Sequence, residues 1–202
     1  RPFINLDELP SLDWNLIKPE VMEYVRKMIG RVQASRGCPF LCTFCINVVS
    51  KNQKMRYRSP ELVVDEIEYL GKDFGVHRIG FRDEIFASNR RQTEEICKQI
   101  LNRDLKISWL ANPRNNYLNE KWLSDDMMDL MVRSGANKLS CGAESGSQRM
   151  QDFLKKGCKV EDTISFVKRT TKYGIVPVVA YMTGLPTETE ADRQATISQI
   201  RE

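Results

Sequence analysis

The stretch RVQASRGCPFLCTFCIN, residues 31–47, sets the frame for the whole chain. RVQAS reads as a strand that runs straight into a loop carrying Cys38, Cys42 and Cys45, with gaps of three and then two residues. Thiolates on one short loop suit a soft metal, because a flexible loop lets sulfurs converge at about 2.3 Å. A structural zinc site wants four protein ligands, usually from two separate pairs. The single histidine, His77, stands at the start of a predicted strand, where a surface or packing role is the plainer reading. An iron–sulfur cluster normally takes four cysteines, so three imply an iron with an open coordination position, which is where chemistry can occur.

Outward from this loop the chain repeats one unit, an apolar run followed by a capped amphipathic helix. In SPELVVDEIEYLGKDFG, Ser59 can cap, Pro60 fits the first helical position, Val63, Ile67 and Leu70 share a face, and Gly75 ends the helix. HRIGFR (77–82) predicts a second strand, with a helix near 89–103. KISWLA (106–111) predicts a third, with a helix from about Glu120 to Gly135. NKLSCG (137–142) predicts a fourth, followed by ESGSQRMQDFLKKG and a helix at about 160–173. IVPVVAYM (175–182) predicts a fifth, with Pro177 marking an early or bulged position.

Strands alternating with helices demand a parallel sheet, so the expected fold is α/β, a partial (β/α) barrel of five to six units. A complete eight-stranded barrel takes about 250 residues, and TGLPTETEADRQATISQIRE ends within a helical pattern, so residues 31–202 read as a C-terminally incomplete core. Residues 1–30, with the helix PEVMEYVRKM, read as a linker and entry helix.

The bulk composition excludes other classes. With 31 Lys and Arg against 27 Asp and Glu, the net charge of +4 is too mild to argue for nucleic acid or a membrane surface. No apolar run approaches a bilayer span, and the N-terminus lacks the apolar stretch of a signal peptide. Of six cysteines, Cys97, Cys141 and Cys158 are scattered singly, which is no disulfide framework. Metal-binding thiols in a reducing cytoplasm are the better reading.

CPFLCTFC, Cys-x3-Cys-x2-Cys with an aromatic residue before the last cysteine and a strand in front, resembles the radical S-adenosylmethionine (SAM) superfamily. The resemblance implies a [4Fe–4S] cluster on Cys38, Cys42 and Cys45, with SAM chelating the fourth iron and Phe44 against the adenine. FRDEIFASN matches the polar turn beside the SAM amino group, with Arg82, Asp83 and Glu84 as candidates. Gly142, Glu144, Ser145 and Gly146 resemble the family's G-x-E-S-G segment, where Glu144 would accept from the ribose hydroxyls and Lys156 approach the SAM carboxylate. TGLPTET resembles the G-x-P-G-E-T turn, with Gly184, Pro186 and Glu188 in place but Thr187 where glycine is usual. A positive φ there would strain a threonine.

FINLDELPSLDWNLI and MRYRSPELVVDEIEYL further resemble members that carry a cobalamin-binding domain outside this stretch; that domain's own D-x-H-x-x-G signature is absent. A tRNA methylthiotransferase is a neighbouring choice, but its second set of cluster cysteines and basic extension are not seen. The implied activity is reductive cleavage of SAM to a 5′-deoxyadenosyl radical that attacks an unidentified substrate, as in cobalamin-dependent methyltransferases or cyclases. A low-potential flavodoxin or ferredoxin would donate the electron. Arg114 and Tyr181, near the ends of the third and fifth strands, are candidates to face substrate. Cys141 is either a core thiol or a reactive one beside the pocket. Two other classes share the cysteine loop: a non-catalytic iron–sulfur electron-transfer or sensing module, and a zinc-stabilised binding domain.

Overall fold

The computed structural model describes residues 3–49 and 54–202, and there the alternating pattern becomes a single run of βα units. After two short 3-10 turns come α1 (Pro19–Lys27), β1 (Gly30–Val32), β2 (Ser35–Arg36), α2 (Ile46–Val49) and β3 (Arg56–Tyr57). The chain continues through α3 (Pro60–Phe74), β4 (Arg78–Phe81), α4 (Arg90–Asn102), β5 (Ser108–Ala111), α5 (Asp125–Arg133), β6 (Ala136–Glu144), α6 (Gln148–Phe153), α7 (Val160–Lys172), β7 (Val176–Tyr181) and α8 (Glu190–Arg201). The polar stretch SKNQ, 50–53, lies outside the described residues.

β1, β4, β5, β6 and β7 form one parallel sheet in that order, so each connection crosses over a helix and the sheet stays open between β1 and β7. This is the expected partial barrel. Alternate strand residues Val32, Ile79, Phe81, Trp109, Ala111 and Leu139 are buried on the helical side. Phe81, Phe86 and Trp109 form an aromatic knot there, with ring centroids 4.8 to 5.5 Å apart, and the Trp109 indole N–H donates to the Ser134 carbonyl at 3.1 Å. Such pairs are worth about 0.5–1.5 kcal/mol each beyond their buried area.

Three local expectations change. RVQAS is not one strand: β1 stops at Val32, and Ser35–Arg36 pairs antiparallel with β3. Between them the Ala34 N–H donates to Asp83 at 2.9 Å, and its carbonyl accepts from the Arg58 N–H and the Gln92 side chain, which leaves no ladder partner for β1 to continue. Ser59 makes no side-chain cap; Pro60 supplies the preset first-turn geometry, and the Ser59 N–H donates to Asp7 instead. The helix expected from Glu120 starts at Asp125, because the Asn119 side chain accepts from the Lys121 and Trp122 N–H groups and holds a local turn until Ser124 caps. Pro177 sits in β7, an end strand of the sheet, where a missing donor costs least.

Candidate active site

The carboxyl ends of the strands surround a cavity of about 340 Å³, the end where parallel βα folds place their sites. Cys38, Cys42, Phe44 and Cys45 form one wall, Glu84 and Ile85 follow β4, Asn112 to Arg114 follow β5, and Ser140 to Gly142, Glu144, Lys156 and Ala180 complete it.

The cysteine loop has no regular structure of its own and is pinned from outside. The Thr43 N–H donates to the Leu154 carbonyl at 3.0 Å, the Gly37 N–H donates to Glu84 Oε2 at 3.1 Å, and the Arg114 guanidinium lies 3.6 Å over the Phe40 ring. Burial raises the Cys38 thiol above its ordinary value; the Phe40 N–H and the Arg114 charge work the other way, against the neighbouring Cys42 and Cys45. Among the described residues no three His, Cys, Asp or Glu side chains crowd a single point closely enough for one metal ion. All three thiols line the cavity, and a [4Fe–4S] cluster held by three thiolates would keep one iron without a protein ligand.

Opposite them lies Glu144. The register of β6 against β7 slips at this point, with Gly142 level with Ala180 and Glu144 level with Tyr181, so Ala143 is an extra residue. This bulge, with φ of +64° at Glu144, turns the carboxylate back over the strand. Glu144 Oε1 then accepts from Lys156 Nζ at 2.7 Å, and both side chains are buried. A Cβ at Gly142 would stand 2.0 Å from that same oxygen, so only glycine leaves room for the carboxylate. A non-glycine residue at positive φ in a cavity wall is a mark of stored strain at a working site. Lys156 Nζ also stands 6.0 Å from the centroid of the Phe44 ring, linking the two walls.

The other sequence-derived residues are placed differently. Asp83 does not line the cavity: its carboxylate faces β1 and accepts from the Ala34 N–H at 2.9 Å and the Ser35 hydroxyl at 2.5 Å. Burial pushes it up to about 6, although both hydrogen bonds pull the other way. Ser145 is fully buried against α8, its hydroxyl 3.2 Å from that of Thr196, and a Cβ at Gly146 would strike the Ala195 carbonyl at 2.7 Å. Gly184 lies outside the cavity at φ +76°, with its N–H given to Glu188 Oε2 at 2.7 Å. Thr187 has φ of +66°, the strained value its departure from glycine leads one to expect.

Arg114 reaches the cavity, but its donors go to the Lys156 carbonyl, the Cys158 sulfur and Asn116, so it ties the cysteine loop to the β6–α7 segment. Tyr181 points to α8, donating to Gln199 Oε1 at 3.0 Å, and its neighbour Ala180 faces the cavity. Cys141 lines the cavity, and burial pushes its thiol up to about 12, which disfavours the thiolate. Asn112, Ser140 and Ala180 were not singled out in the sequence. Their position at or just past the carboxyl ends of the predicted third, fourth and fifth strands was the available signal.

Residues 32–200 match the family model of the radical SAM superfamily. An uncharacterised methyltransferase of Pyrococcus horikoshii is 33% identical over 198 residues, 98% of this chain and 42% of the relative. The anaerobic magnesium-protoporphyrin IX monomethyl ester cyclase of Rubrivivax gelatinosus is 29% identical over 206 residues, 100% of this chain and 36% of the relative. The chain thus spans well under half the length of either. The radical SAM methyltransferase TsrM from Kitasatospora setae, solved with cobalamin and a [4Fe–4S] cluster bound, shares the fold at a TM-score of 0.79 and 21% identity, over 90% of this chain and 36% of that one. With cysteine loop, open parallel sheet and family model in agreement across nearly its whole length, the chain belongs to the radical SAM superfamily.

Proposed function

We propose that this chain is the catalytic core of a radical SAM enzyme, in which Cys38, Cys42 and Cys45 hold a [4Fe–4S] cluster and the adjoining cavity takes SAM. The observation that carries the proposal is the convergence of the three thiols with the Glu144–Lys156 pair on one cavity, from segments far apart in sequence. When bound, the cluster supplies the low-potential electron for reductive cleavage of SAM.

The chain's own residues bind and orient. Phe44 offers a flat face to the adenine, and Glu144 offers lone pairs to the ribose hydroxyls while Lys156 meets the SAM carboxylate. Glu84, in the cavity wall, would accept from the SAM ammonium, and its hold on the Gly37 N–H fixes the approach to Cys38. Asp83 acts through Ala34 and Ser35, Ser145 through its anchor on α8, and Gly184 through the turn closed by Glu188. Ile85, Pro113 and Ala180 are apolar walls that keep water from the reacting centre. In this reading residues 31–202 are the core, residues 1–30 are its entry segment, and the electron comes from a flavodoxin- or ferredoxin-type donor in the cytoplasm. Among the described residues no helix is long and apolar enough to cross a membrane.

The relatives named methyltransferase and cyclase, and the cobalamin in TsrM, favour C-methylation or ring closure assisted by a cobalamin held outside this chain.

The test is anaerobic iron and sulfide loading followed by reduction in the presence of SAM. Four irons and four sulfides per chain and release of 5′-deoxyadenosine are expected, both lost in Cys38→Ala, Cys42→Ala and Cys45→Ala. Zinc without sulfide, or a full cluster whose reduced EPR spectrum ignores SAM, overturns the proposal.

A further inference from the structure

The inner face of the sheet, the side away from the helices, carries an unusual set of side chains below the cavity. The register places Arg31, Gly80, Leu110, Lys138 and Val176 in one row across the five strands. Their sequence neighbours Val32, Phe81, Ala111 and Leu139 are the ones buried under the helices. Arg31 lies across Gly80: a Cβ there would meet its Nη1 at 2.8 Å and its Cδ at 3.5 Å. Arg82, two residues beyond Gly80, shares that face and stands close enough for its charge, after burial, to lower the Arg31 pKa. Among the described residues no carboxylate pairs with Arg31, Arg82 or Lys138. Between and beside the cations the face is apolar, with Leu110 partly exposed and Val176 and Val178 at 54% and 40% exposure.

Arg31 and Arg82 share one exposed face with no acid among the described residues paired to either, and a bound anion would relieve their mutual repulsion. The row joins the cavity directly, because Ser140 and Gly142, which line it, follow Lys138 on the same face. Resting on the reading of that cavity as the reaction site, we infer that Arg31, Arg82 and Lys138 receive the anionic end of the substrate, a molecule with an apolar body and a phosphoryl or carboxylate group. Lys138 lies four residues below Gly142, so the anion sits roughly 7–13 Å from the reacting carbon at about 3.3 Å per residue. An apolar skeleton of that length would cover Leu110, Val176 and Val178.

The probes are 1-naphthyl phosphate, 1-naphthoate and the neutral alcohol 1-naphthylmethanol, titrated by fluorescence into the protein made from its complete gene. The two anions are expected to bind more tightly than the alcohol. Arg31→Gln, Arg82→Gln and Lys138→Gln, tested singly at solvent-facing positions, are each expected to weaken anion binding about tenfold and leave the alcohol unchanged. The tighter of the two anions names the substrate's acidic group. Equal binding of all three probes, no binding of either anion, or anion binding untouched by every substitution overturns the inference. SAM cleavage is measured on the same preparation: its failure with anion binding intact would remove the proposed function and leave the anion site standing.

Discussion

Lys156 Nζ lies 2.7 Å from Glu144 Oε1, and both side chains are buried in the wall of the cavity that faces the three cysteines. Removing either partner strands the other's charge, and for a pair bordering a cavity the cost is about 2–4 kcal/mol. Lys156→Met is therefore expected to lower the urea midpoint clearly, and Glu144→Gln combined with Lys156→Met to recover part of the loss. Additive effects in this double-mutant cycle would show that the contact is not coupled energetically.

Gly142 leaves the space in which the Glu144 carboxylate rests. Gly142→Ala is expected to expel it, weakening SAM binding about tenfold while global stability changes by about 1 kcal/mol or less. Equilibrium dialysis with SAM on cluster-loaded protein, beside a denaturation curve, separates the two effects.

Asp83 titrates at about 6 because burial outweighs its hydrogen bonds from Ser35 and Ala34, and the nearby Glu84 adds to the rise. A carboxyl whose folded value is raised above 3.8 gives its full contribution to stability below that pH and loses it as pH rises through about 6. Compared with Asp83→Asn, the parent protein is expected to lose about 3 kcal/mol of stability between about pH 4 and pH 7. Urea titrations across that window decide it; parallel curves for the two proteins would falsify the account.

Thr187 is held at φ +66°, where a β-branched residue is strained, while its carbonyl accepts from Arg149 at 2.7 Å. Thr187→Gly keeps that carbonyl and relieves the strain, so a gain of about 1 kcal/mol is expected, or roughly 2–4 °C in Tm. A fall in Tm on calorimetry would mean that the threonine side chain supports the turn by another route.

Much of the architecture was legible along the chain. The apolar runs that become β4, β5, β6 and β7, and the glycines Gly75, Gly135 and Gly174 at positive φ after α3, α5 and α7, punctuate the units where local chemistry predicts. The shortfalls were local contests: Asn119 takes backbone donors that a helix from Glu120 would need, and Asp83 takes the Ala34 donor that would have continued β1.

The sequence by itself determined the three-cysteine loop, the alternation of strands and helices, and the segments that gather at the strand ends, because spacing, propensity and capping act over a few residues. Which side chains reach the cavity was decided by tertiary structure. Asp83 and Glu84 are adjacent yet face opposite ways, as do Ala180 and Tyr181, because side chains on an extended chain alternate and pairing register fixes the parity. The extra residue Ala143 sets Glu144 level with Tyr181 while its carboxylate stays on the face of Gly142, a shift that exists only where β6 meets β7. The same register sets Arg31 and Lys138 in one row, with Arg82 two residues beyond Gly80 on that face, an arrangement that no local pattern carries.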